Sequence, residues 1–67
     1  MLLSRRSILT NTEHTLYIPM NPDVFARREA DWVRGMLIQD AFPDLTADQR
    51  EFIKTGITAE EWDNLSD

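Results

Sequence analysis

Between Thr15 and Met20 the chain alternates, with Leu16, Ile18 and Met20 on one face and Thr15, Tyr17 and Pro19 on the other. A period of two with aromatic and β-branched residues predicts a strand over residues 15–20. Pro19 has no N–H to give a ladder, so this strand lies at a sheet edge or ends there. An open edge suits pairing with a second copy, which makes residues 15–20 the expected seam of a homodimer. Upstream, residues 7–10 (S-I-L-T) could form a first strand turned at Asn11 and Thr12. A flexible tail over residues 1–12 is the alternative.

From Asn21 the spacing becomes helical. Asn21 can cap free amides, Pro22 suits the first helical position, and Asp23 favours the positive end of the helix dipole. Phe25, Trp32 and Met36, with Val33, Leu37 and Ala41, form a broad apolar stripe. Gly35 inside it marks either a break between two shorter helices or a point of close packing. Phe42-Pro43 ends the element, because a residue before proline avoids helical angles. Two capping boxes follow, Thr46 with Gln49 and Thr58 with Glu61. Phe52 and Ile53 face inward on the first of these helices. Gly56 closes it, with Ile57 folding back on Phe52. Ile57 and Trp62 form a hydrophobic staple around the second box. Trp32 and Trp62 are both expected in the core. The order predicts an α+β domain: an N-terminal edge strand or β-hairpin packed on a helix that Gly35 interrupts, then two short C-terminal helices.

At 67 residues this is one small domain with a marginal core. There is no cysteine, so disulfides and thiolate sites are excluded. Ser4-Arg5-Arg6-Ser7 resembles the start of a twin-arginine export signal, but polar residues follow where an apolar stretch is required. No run approaches a membrane span. The expectation is a cytoplasmic protein.

Charge changes the picture most. Residues 1–34 carry five arginines against four acids, a net of +1. Residues 35–67 carry Arg50 and Lys54 against eight acids, a net of −6. Catalysis has little to work with. His14 is the single histidine, set in a polar stretch where solvation is the expectation, and Ser4, Ser7 and Ser66 sit near the ends. Gly35 and Gly56 are the only glycines, which leaves no phosphate-cradling loop. The acids lack the spacing and central glycine of a calcium loop. No enzyme, cofactor or metal is expected. Helix, glycine turn, helix is the outline of a DNA reader, but the would-be recognition helix has Glu60, Glu61 and Asp63 and no base. Phosphate contacts need positive charge, and the arginines of the N-terminal half are where a basic patch could form. Acids in first helical turns also serve the helix dipole and solubility. Their functional reading is a surface that competes with nucleic acid for a basic groove, built from Asp40, Asp44, Asp48, Glu51, Glu60, Glu61 and Asp63.

The stretch I-Q-D-A-F-P-D-L-T-A-D-Q-R-E-F-I-K-T-G-I-T-A-E-E-W-D, from Ile38 to Asp63, resembles one in small proteins of bacterial viruses and mobile elements. No functional residues carry over from that group. The resemblance implies a setting, in which short acidic proteins inhibit host defence or transcription, as anti-CRISPR and anti-restriction proteins do. The expected function is therefore a non-enzymatic inhibitor that binds a host protein or nucleoprotein complex. The alternatives are a small dimeric DNA-binding regulator of helix-turn-helix or ribbon-helix-helix type using its arginines, and a virus assembly factor.

Overall fold

The computed structural model describes residues 1–65; Ser66 and Asp67, counted above, lie outside the described residues. The chain opens with a β-hairpin, β1 (Leu2–Arg6) and β2 (Glu13–Tyr17), paired antiparallel with Leu3 opposite Leu16 and Arg5 opposite His14. Residues 1–12 are thus part of the fold and not a tail. Residues 7–10, expected as a strand, form the turn instead. The physical reason is Ser7. Its buried hydroxyl accepts from the Leu9 amide at 3.2 Å, and its backbone exchanges bonds with Asn11 and Thr12. Such local bonding competes with a ladder. Asn11 takes the left-handed conformation at φ 58°, which asparagine tolerates better than most residues. The N-terminal amine donates to Ile18 O at 2.7 Å and extends the pairing past Tyr17. The alternation read over residues 15–20 holds: Ile18 is fully buried, Leu16 and Met20 are partly buried, and Thr15, Tyr17 and Pro19 are exposed.

Helix α1 (Pro22–Val33) begins as its residues require, with the Asn21 side chain accepting from the Asp23 amide at 2.8 Å. Phe25 is buried and Trp32 packs against the core. The stripe stops there, which corrects the reading of Val33, Met36 and Leu37 as core residues. Val33 is 77% exposed and Leu37 61%. Gly35 adopts φ 121° with open space where a Cβ would stand, so it breaks the helix and is no packing point. The break rotates the chain out of register with the stripe. Helix α2 (Ile38–Ala41) is a single turn that delivers Ala41 and Phe42 to the core. The Phe42 ring lies 5.4 Å from that of Phe25, tilted by 37°, a geometry that favours the ring quadrupoles.

Helix α3 (Ala47–Thr55) carries the complete first capping box: Thr46 N donates to Gln49 Oε1 at 2.9 Å and Gln49 N to Thr46 Oγ1 at 3.1 Å. It packs on β1 and buries Phe52 and Ile53. Gly56 ends it in the left-handed conformation. Helix α4 (Ala59–Leu65) carries the second box, with Thr58 N donating to Glu61 at 3.1 Å and Glu61 N to the Thr58 hydroxyl at 3.2 Å. It buries none of its residues. Trp62, expected in the core, is 41% exposed. In a helix of two turns only one direction faces the body, and Glu61 takes it. Trp62, one residue on, is turned about 100° aside. The architecture is therefore α+β, a hairpin followed by four helices around a core of Leu3, Ile18, Phe25, Ala41, Phe42, Leu45, Phe52 and Ile53. No helix among the described residues is long and apolar enough to cross a membrane.

Candidate functional site

Seven of the eight acids of the C-terminal half lie among the described residues, and they fall into two groups. Asp44, Glu51 and Glu61 have partners. Asp44 meets Arg28 at 3.2 Å, Glu51 meets Lys54 one turn on at 3.6 Å, and Glu61 turns inward. Asp40, Asp48, Glu60 and Asp63 are exposed and form no ion pair among the described residues. Asp48 and Glu51 lie three apart on α3, and Glu60 and Asp63 three apart on α4, so each helix shows one pair on one face. The expected acids thus come from four segments of chain: Asp40 on α2, Asp44 in the linker, one pair on α3 and one on α4.

Glu61 belongs to a different arrangement. Its carboxylate accepts from the Thr10 hydroxyl of the hairpin turn and from the Thr58 amide. His14 Nε2, on β2, is enclosed 3.1 Å from the same carboxylate, off the line of a good hydrogen bond. The Glu61 side chain keeps only 11% of its surface. Thr10 above all, with the Thr58 amide and His14 after it, holds the carboxyl down at about 2 from an ordinary 4.5, against the opposing effect of burial. Hydrogen bonds to the charged form favour it. Glu61 is therefore a clamp between hairpin and α4, and it leaves the set of outward-facing acids. His14, expected to be solvated, is its companion. Thr10 and Glu61 lie 51 positions apart, and no local spacing could pair them. The one sequence signal was the capping box, which already turns the third residue of the helix back toward its start.

The basic residues are mostly engaged inside the fold. Arg5 pairs with Glu29 at 2.7 Å, Arg6 donates to Asn11 O at 2.8 Å, and Arg50 donates to Leu45 O at 2.6 Å. Arg28 and Lys54 have the acid partners given above. Arg27 and Arg34, both exposed, have no such partner among the described residues. Among the described residues there is no pocket and no group of three or more histidines and acids placed to hold a metal. No protein-family model, no curated protein and no solved structure matches this chain.

Proposed function

We propose that this chain is a small non-enzymatic inhibitor of a bacterial virus or mobile element, which binds a host nucleic-acid-handling complex through its acidic half and competes there with nucleic acid. One observation carries the reading. Asp40, Asp48, Glu60 and Asp63 stay exposed and unpaired among the described residues, while five of the seven basic side chains are bonded within the fold. The surplus negative charge is thus left on the outer surface of the C-terminal half, where it favours encounter with a basic groove. The anti-CRISPR or anti-restriction setting, in the host cytoplasm, rests on the resemblance of residues 38–63 alone.

The test neutralises the outward acids and spares the clamp: Asp40→Asn, Asp48→Asn, Glu60→Gln and Asp63→Asn together. A nuclease-treated host lysate is passed over the native chain and the variant. The reading expects a nucleic-acid-binding complex on the native chain, released by rising salt and by added duplex DNA, and none on the variant. Equal capture by both would sink it.

A second reading is a dimeric DNA-binding regulator. Arg27 and Arg34 on and just after α1 favour it, and so does the open edge of β2, which pairs with β1 on one side only. A mobility shift on duplex DNA at low salt would put this reading ahead of the first, which expects no shift.

A further inference from the structure

Polar contacts tie the first turn of helix α4 to the body: the Thr58 capping box, the Thr10 hydroxyl on Glu61, and His14 beside it. Its apolar residues are left partly uncovered. Trp62 and Leu65 lie three apart and so share a face, with 41% and 53% of their surfaces open. The hairpin turn is fixed to the end of α3, where Ile8 N donates to Thr55 O at 3.1 Å, and through Thr10 to the first turn of α4. An accessible tryptophan with aliphatic neighbours is the composition of an interface anchor. We propose that Trp62 and Leu65 anchor a docking surface for a partner protein that sets apolar side chains among lysines and arginines.

Charge selects this occupant. Residues 59–65 contain three acids and no base, and Glu60 and Asp63 are exposed on the flank of α4 away from Leu65. A second copy meeting through α4 would use the same patch on both sides, which brings like acids together. Nucleic acid and anionic lipid are repelled for the same reason. A basic partner gains from both halves of the helix, its apolar groups on Trp62 and its cations on Glu60 and Asp63. The inference rests on the acidic-inhibitor reading and adds what the partner's basic surface must contain.

The test uses defined peptides and a Trp32→Phe background, in which Trp62 is the only indole. The probes are a helical Lys/Leu amphipathic peptide, a Lys/Ser peptide of equal length and charge, and a Glu/Leu peptide. The expected result is a blue shift of Trp62 emission with the Lys/Leu peptide, and binding about tenfold or more tighter than for the other two. Followed through a label on the peptide, Trp62→Ala and Leu65→Ser each weaken binding by about tenfold or more. Equal binding of the Lys/Ser peptide, binding unchanged in both variants, or no binding of any peptide overturns the inference. The Glu60→Gln/Asp63→Asn variant separates the two ideas. If it alone loses the Lys/Leu peptide, the acidic reading stands and the anchor falls. If it binds as the native chain does while Trp62→Ala does not, the contact is apolar alone, and the basic partner falls together with the acidic reading.

Discussion

Gly56 is the residue whose replacement the geometry forbids most directly. At φ 75°, a side chain there is strained in itself, by about 1–2 kcal/mol. A Cβ would also stand 2.5 Å from the carbonyl oxygen of Arg6, a backbone atom of β1 that cannot swing away. Gly35 has positive φ too, but nothing lies within 4 Å of its added Cβ. Gly56→Ala is therefore expected to lower the urea midpoint more than Gly35→Ala, and equal losses would show that the approach to Arg6 is not tight. The same scale separates the aromatics. Phe52→Ala empties a fully buried site and is expected to cost about 3–5 kcal/mol. Trp62→Ala, at a half-open position, is expected to cost about 1–2 kcal/mol. Glu61 adds a pH signature. Its folded pKa is depressed, so its contribution is present in full above an ordinary 4.5 and fades as pH falls toward about 2. Across that window the native chain should lose stability faster than Glu61→Gln or Thr10→Val. Parallel melting curves over the window would mean that the clamp does not hold in solution.

At the scale of elements, the capping boxes matter because the helices they start are short. Nine and seven residues are below the length at which a helix persists alone in water. Thr46→Ala and Thr58→Ala are each expected to cost about 1 kcal/mol of unfolding free energy. Their dynamic consequences differ. Helix α3 is also held by Phe52 and Ile53 in the core, whereas α4 adds no residue to the core. Hydrogen exchange in α4 should therefore rise sharply in Thr58→Ala, while α3 in Thr46→Ala stays protected. Comparable protection in both would mean that α4 is held by more than its cap and clamp. Both boxes were legible in the sequence, because a cap needs only residues within one turn. The helix break was legible as a choice at Gly35, since glycine marks either a turn or a close approach. The hairpin was half legible: β2 alternates, but β1 carries polar residues at three of five positions (Ser4, Arg5, Arg6) and is a strand because β2 lies beside it.

For the molecule as a whole, the governing facts are a small core and a net charge of −5. Like charges on one compact body repel, and salt screens them over a length of about 10 Å at 0.1 M. The melting temperature is therefore expected to rise modestly with added sodium chloride, while complexes made through the acidic half weaken over the same range. Opposite trends in one titration would be hard to obtain from any other origin. A stability that falls with salt would instead point to the Arg5–Glu29 and Arg28–Asp44 pairs as the dominant electrostatics.

What the sequence determined by itself was local: the alternation of β2, the start of α1, both capping boxes, the stop at Gly56 and the division of charge between the halves. Each depends on residues one or two turns apart, so their chemistry is complete within the segment. What only the tertiary structure decided was which side of each element meets the body. It gave the inward side of α4 to Glu61, through Thr10 and His14 of the hairpin, and so left Trp62 at the surface. It ended the α1 stripe at Trp32 and exposed Val33 and Leu37. It drew the first residues of the chain into a strand whose Arg6 carbonyl admits only glycine beside it. These outcomes depend on groups distant along the chain and adjacent in space, and no periodicity carries that information.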